Sequence, residues 1–309
     1  MNGSFIHSGR TQRLECGKES VVRPPIAAQV KDLEGQYIAR LNVPNADEYV
    51  ERSAQRSARV RKKLKCHFGV PYGDTSGQKL DIFPAKRKGA PVHVFIHGGY
   101  WRNPGITKDT YSHVAAPMVA AGAAVVLPDY DLCPVVSITE IVRQTRRAIV
   151  WVYRNIAKYN GDPKRIYVSG HSAGGHLTGM MTATDWSKEG RLPKGLIKGT
   201  AALSGLFDIE PHRRLESFQR DLRITAAEVK TMSPMHLPPI AKGPAIVALG
   251  GDETHLWHWQ SLAYAAHLRK NRIDAEFIAT PGDHHFDITD RLGNTRDPLT
   301  KALIAQMGL

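Results

Sequence analysis

Between residues 80 and 280 the chain alternates short, nearly continuous apolar runs with longer stretches whose apolar residues recur every three or four positions. Leu80 to Phe83, Val92 to Ile96, Ala124 to Leu127, Arg165 to Ser169, Ile197 to Leu203, Ala245 to Leu249 and Ala275 to Ala279 have the length and the β-branched content of strands. Runs apolar on successive residues suit strands covered on both faces. Between them, Asp109 to Ala121, Ile138 to Tyr159, His176 to Met181 and Trp259 to Lys270 read as helices, and a further helix closes the chain. In the second of these, Ile138, Ile141, Val142, Thr145, Ile149, Val152, Tyr153 and Ile156 form one stripe. Such alternation predicts an α/β fold with a mostly parallel central sheet and helices on both faces.

The two departures from this rhythm set the domain boundaries. Residues 1–29 are polar and without a clear period, which predicts a loosely ordered N-terminal arm. Residues 30–309 then form one domain, helical from Val30 to Lys65. The charged, irregular excursion at 208–239 interrupts the alternation where an insertion could cover the carboxyl edge of the sheet, and it is a candidate lid.

Composition narrows the class. With 309 residues, 42% of them hydrophobic, the chain suits one ordinary globular core. No run of about 18 apolar residues occurs and the first residues lack an apolar signal stretch, so a cytoplasmic protein without a membrane span is expected. Cys16, Cys66 and Cys133 are too few and too widely spaced for a disulfide framework or a zinc site. The net charge of +13 peaks at Arg52, Arg56, Arg59, Arg61, Lys62, Lys63 and Lys65. No aromatic residue is interleaved there to stack on bases, so a solvated helix face is expected in place of a nucleic-acid surface, and attraction of anionic substrates stays open.

One pentapeptide carries chemistry. Gly170-His171-Ser172-Ala173-Gly174 follows a strand and opens a helix, and small residues flanking a serine there allow a sharp, strained reversal that exposes the hydroxyl. The helix behind it aims unpaired N–H groups, Ala173 first, at developing negative charge. A serine hydroxyl needs a base, a group orienting that base, and oxyanion donors. Gly98 and Gly99, after the strand ending at Ile96, can bring N–H groups close to a substrate oxygen. The loop Gly282-Asp283-His284-His285 offers two candidate bases, and Asp252-Glu253, after the strand ending at Leu249, offers two candidate acids. The order serine, acid, histidine is that of α/β hydrolases. His171 and His176 are expected to pack or hydrogen-bond without carrying protons.

From Leu33 to the C-terminus the chain resembles the kynurenine formamidase-like (arylformamidase-like) α/β hydrolases, relatives of esterases and lipases with a His-Gly-Gly oxyanion loop. The resemblance rests on Leu33-Glu34-Gly35-Gln36-Tyr37, Tyr72-Gly73, Leu80-Asp81-Ile82-Phe83, His97-Gly98-Gly99-Tyr100-Trp101-Arg102, the serine pentapeptide with Gly175, Ser204-Gly205-Leu206-Phe207-Asp208, Gln260-Ser261 and His285-Phe286-Asp287. It implies an α/β-hydrolase fold, His285 as the base, and Glu253, seven residues before Gln260, as the acid. Members of the family often carry aspartate at that position, so this chain departs in residue type and Asp252 stays the alternative.

The expected activity is therefore that of a serine hydrolase. It would cleave a small N-formyl or N-acyl arylamide, or a short-chain or aryl ester, through an acyl-enzyme, with no cofactor and no metal. Tyr100 and Trp101 are placed to line the acyl or aryl pocket, or else to pack under the oxyanion loop, with an arylamine leaving group on the opposite side under residues 208–239. The expected partner is a small-molecule amide or ester, with neither nucleic acid nor membrane, and association into a homo-oligomer stays open. The rivals are a broad carboxylesterase of the same fold, a metal-dependent amidohydrolase with His284, His285 and Asp287 as ligands, and a catalytically silent hydrolase fold used for binding.

Overall fold

The computed structural model describes residue 30 and residues 32–309. The expected arm at 1–29, with Cys16, lies outside the described residues. Three helices come first, α1 (Leu33–Tyr37), α2 (Ala39–Asn42) and α3 (Ala46–Lys63). The sheet region then runs β1 (His67–Pro71), β2 (Lys79–Phe83), β3 (Ala90–Ile96), α4 (Ala115–Ala121), β4 (Ala124–Pro128), α5 (Ile138–Asn155), β5 (Gly161–His171), α6 (Ala173–Thr182) and β6 (Ile197–Leu203). Three short helices, α7 (Glu210–Arg213), α8 (Glu216–Leu222) and α9 (Ala226–Met232), occupy the excursion. The chain then finishes with β7 (Ala245–Gly250), α10 (His255–Lys270), β8 (Ala275–Thr280), α11 (Ile288–Arg291) and α12 (Pro298–Gln306).

The eight strands form one sheet in the order β1-β2-β4-β3-β5-β6-β7-β8. β1 and β2 pair antiparallel, as do β2 and β4, and every other pair is parallel. The expected α/β architecture is thus observed. β1 was not among the predicted strands, because His67-Phe68-Gly69-Val70-Pro71 carries a glycine, a proline and mostly uncovered side chains, all features of an edge.

Side chains alternate across the sheet into two cores. Val92, Val94 and Ile96 join Ile141, Val142 and Ile149 of α5 and Leu177 of α6 on one face. Phe95 joins Val125, Leu127, Met118 of α4 and Leu299 and Leu303 of α12 on the other. Each such side chain, fully buried, contributes about 1.5–3 kcal/mol relative to exposure.

One expectation is corrected. Asp109 to Ala121 is not one helix: Lys108–Val114 is a 3₁₀ helix capped by Thr107, and α4 starts at Ala115. Pro117 has no N–H to donate back along an unbroken helix and is accepted only in a first turn. The basic helix α3 exposes Arg52, Arg59, Lys62 and Lys63, as expected of a solvated face, and half-buries Arg56 and Arg61. Arg52 and Arg56 pair with Asp290, and Arg61 pairs with the fully buried Asp81 and with Asp109. Ser57 ties the helix down by donating to the Thr110 carbonyl at 2.8 Å.

Histidine burial makes the fold acid-sensitive. Burial pushes His93, His113 and His176 down to about 4, and His212 to about 3, from an ordinary 6.5. The unfolded chain therefore binds more protons than the folded one below pH 6.5. The stabilisation is complete above that pH and is lost as pH falls toward 4, about 2 kcal/mol per histidine at pH 5. Urea unfolding should show a stability several kcal/mol lower at pH 5 than at pH 7, and His93→Gln should shrink that difference by ~2 kcal/mol. Equal stabilities at the two pH values would contradict the assignment.

Candidate active site

Parallel strands deliver their successors to one edge of the sheet, and the chemically interesting residues all follow carboxyl ends there. Gly98 and Gly99 follow β3, Ser172 follows β5, Ser204 follows β6, Glu253 follows β7 and His285 follows β8. Ser172 sits at φ 58°, ψ −119°, sparsely populated space that costs of order 1–3 kcal/mol for a side-chain-bearing residue. The reversal is held by close packing, since a Cβ added to Gly174 would stand 2.0 Å from the Ile96 carbonyl oxygen and 2.6 Å from that of His97. Helix α6 therefore lies directly against the end of β3.

His285 Nε2 lies 3.0 Å from Ser172 Oγ, and His285 Nδ1 lies 2.7 Å from Glu253 Oε2. A carboxylate only accepts, so Nδ1 carries the hydrogen and Nε2 is free to accept from the serine hydroxyl. The Glu253 side chain is 1% exposed. Its other oxygen accepts from the Gly250 N–H at 2.9 Å and from the Ser204 hydroxyl. The imidazole is packed between the rings of His171 and Trp257, with centroids 4.7 and 4.5 Å away. Asp252 is exposed and His284 turns away: its Nδ1 accepts from the Phe286 and Asp287 N–H groups and lies 3.3 Å from Asp287 Oδ1. The arrangement can move a proton from Ser172 to His285 while Glu253 stabilises the resulting cation.

The loop after β3, the expected oxyanion loop, approaches Ser172 closely. A Cβ on Gly98 would meet Ser172 Cβ at 3.0 Å and the His171 carbonyl oxygen at 2.9 Å. The N–H groups of Gly98 and Gly99 make no hydrogen bond to the described chain, and that of Ala173 opens α6. His97 anchors the loop: its ring stacks on Tyr130 at 4.4 Å, Nδ1 donates to the Gly98 carbonyl at 2.8 Å, and Nε2 faces Asp129 at 3.2 Å. Burial works against the Asp129 charge, but His97 and Lys108 outweigh it and hold the carboxyl at about 2.

Tyr100 and Trp101 part company. Trp101 is 0% exposed, its indole N–H donating to His176 Nδ1 at 3.2 Å, and so it packs under the loop and lines no open pocket. Tyr100 does face a cavity of about 320 Å³, shared with Ile38, Arg40, Arg102, Ser217, Phe218 and Asp221. Its ring lies 5.1 Å from that of Phe218 in α8, so Tyr100 and the excursion flank one space and do not stand on opposite sides of the site. Ser204, His171, Trp257 and Arg40 were not singled out as site residues. Ser204 stood in a family motif without a role, His171 precedes the serine and was expected only to pack or hydrogen-bond, and Trp257 and Arg40 reach the site through tertiary packing.

Among the described residues no group of three or more His, Cys, Asp or Glu side chains is arranged to hold a metal ion. No helix there is long and apolar enough to cross a membrane.

Comparison with known proteins places this geometry. The family model described as BD-FAE matches residues 80–222. A kynurenine formamidase of Danio rerio is 30% identical over 90% of this chain and 96% of its own length. The esterase LipC of Mycobacterium tuberculosis is 28% identical over 72% of this chain and 60% of its own length. A crystal structure of a candidate thioesterase from Silicibacter superposes with a TM-score of 0.78, at 26% identity over 90% of this chain and 99% of its own. Fold and relatives define a serine-type hydrolase of amides or esters, built on the α/β-hydrolase fold. Within that class, the chain belongs to the kynurenine formamidase family.

The elbow gives a direct structural test. Gly174→Ala forces a methyl group against two backbone carbonyls that cannot retreat without moving β3, a cost of about 3 kcal/mol or more. Thermal denaturation should show Tm reduced by roughly 5–10 °C. An unchanged Tm would mean that α6 and β3 are not packed this closely.

Proposed function

We propose that this hydrolase cleaves N-formyl arylamides whose aryl part carries a carboxylate, N-formylkynurenine being the type substrate, in the cytoplasm and without a cofactor. Ser172 attacks the formyl carbon as His285 Nε2 takes its proton, and Glu253 holds the imidazole and stabilises its charged form. The N–H groups of Gly98, Gly99 and Ala173 receive the oxyanion, each donor contributing about 3 kcal/mol in sites of this kind. His285 then protonates the departing arylamine. Water, activated by the same imidazole, releases formate from the formyl-enzyme.

The observation that carries this reading is the continuous chain from Ser172 Oγ through His285 to Glu253, at 3.0 and 2.7 Å. The substrate side is supported by relatives that are kynurenine formamidases and by the cavity beside Tyr100. Tyr100 and Phe218 offer ring faces for an aryl group. Arg40, whose guanidinium lies 5.8 Å from the ring of Phe286 beside the base, offers a cation for a carboxylate. Its ion pair with Asp47, a carboxylate 88% exposed, is easily exchanged. In this reading residues 208–239 form a wall of the cavity.

The esterase relatives favour a second reading, a broad carboxylesterase, and substrate profiles separate the two. On the formamidase reading kcat/KM for N-formylkynurenine exceeds that for p-nitrophenyl octanoate by roughly a hundredfold or more, and Arg40→Gln narrows the preference for N-formylkynurenine over formanilide by about tenfold. A profile that rises with acyl length would establish the carboxylesterase instead. For the acid, Glu253→Gln should lower kcat by roughly a thousandfold or more while Asp252→Asn stays within about threefold of the parent. The reverse ranking would transfer the role to Asp252.

A further inference from the structure

The oxyanion loop is built in an unfavourable shape. Gly99, Tyr100 and Trp101 follow one another at φ 109°, 54° and 58°, a run of left-handed conformations in which two residues carry large side chains. Such a run persists only where its surroundings fix it. Within the loop, the Gly99 carbonyl accepts from the N–H groups of Arg102 and Asn103 at 3.1 and 2.9 Å. The Trp101 carbonyl accepts from the Cys133 N–H at 2.9 Å. These bonds fix the ends of the turn and leave the Trp101 side chain to fix its seat.

That seat is made by His176. Its Nδ1 accepts from the indole N–H at 3.2 Å, and Nε2 lies 2.7 Å from the Met232 carbonyl oxygen at the end of α9. An indole N–H and a carbonyl together admit one tautomer, neutral with the hydrogen on Nε2. The residue lies one turn into α6, and its own N–H donates to the Ser172 carbonyl at 3.0 Å. A single fully buried side chain therefore joins the nucleophile helix, the oxyanion loop and the helical excursion. The excursion grips the same loop elsewhere, through Phe218 on Tyr100, His212 against the Trp101 ring at 5.7 Å, and Arg102 with Asp221 and the Ser217 carbonyl.

We propose that His176 is a positioning residue for the oxyanion hole, setting the distance between the Gly98 and Gly99 N–H groups and Ser172 by holding the Trp101 indole between α6 and the excursion. The inference rests on the assignment of Ser172 as nucleophile and of Gly98 and Gly99 as oxyanion donors. It extends that assignment to a side chain that touches no reacting atom and makes residues 208–239 a clamp on the catalytic loop.

The test uses the full chain with p-nitrophenyl acetate as substrate and phenylboronic acid as the mimic of the tetrahedral oxyanion. His176→Leu should lower kcat by roughly ten- to a hundredfold with KM changed less than threefold, and should weaken phenylboronic acid by a similar factor. His176→Gln, whose amide can accept from the indole and donate to the Met232 carbonyl, should recover kcat to within about fivefold of the parent. Trp101→Phe removes the same hydrogen bond from the other side and stands in if the leucine variant does not fold. Its loss should not add to that of His176→Leu. Variants that stay folded and keep both kcat and phenylboronic acid affinity within twofold would overturn the proposal, as would a glutamine variant no better than leucine. Ser172→Ala serves as the control. If it remains active, the nucleophile assignment has failed, a result distinct from failure of the positioning role.

Discussion

Helix α6 crosses the end of β3 with backbone against backbone, Gly174 resting on the carbonyls of Ile96 and His97. This contact brings the strained Ser172 and the loop after β3 to within van der Waals reach of each other. A side chain at position 174 would force the two apart. Because β3 and β5 are neighbours in the sheet, register pairing of Ile96 with Gly170 delivers both loops to the same level, and the elbow then closes the remaining distance. His285 and Glu253 arrive by the same logic from β8 and β7, further along the sheet.

Around this frame the electrostatics are arranged to keep charges fixed and few. Glu253 is almost fully buried yet satisfied by three donors, the Gly250 N–H, the Ser204 hydroxyl and the His285 Nδ1–H. Every donor around the carboxylate is thereby paired, and the imidazole next to it keeps one tautomer. Rings of His171 and Trp257 fix the plane of His285. On the other side of the serine, the Tyr130 hydroxyl donates to the His97 carbonyl and His97 Nδ1 to the Gly98 carbonyl, while Asp129, paired with Lys108, faces His97 Nε2.

Much of this was legible in the sequence where it depended on neighbours along the chain. Strand and helix periods gave the architecture, and the glycines around Ser172 and after Ile96 marked the two loops, because a tight reversal restricts residue size locally. What distinguished His285 from His284 and Glu253 from Asp252 was of another kind. Adjacent residues on a loop share composition and differ in direction, and direction is set by contacts with β6, α10 and the elbow. Residue-by-residue physics left both pairs open, and only the family spacing chose between them. Trp101 shows the converse. Its position after two glycines left a pocket wall and packing under the loop both open, and its indole finds a buried acceptor in His176, 75 residues away, and turns inward. The charged face of α3 is exposed at Arg52, Arg59, Lys62 and Lys63, but its ion pairs were not legible, since Asp81 and Asp290, the partners of Arg61 and of Arg52 and Arg56, lie on other elements.

Everything in the account depends on Ser172 forming a covalent acyl-enzyme. Rapid quenching of the enzyme with p-nitrophenyl acetate, followed by peptide mass spectrometry, measures that step directly. The account predicts one acetyl group on Ser172 that appears with the first burst of nitrophenol and is absent from Ser172→Ala. Acetylation of a different residue, or full turnover by the alanine variant, would contradict it.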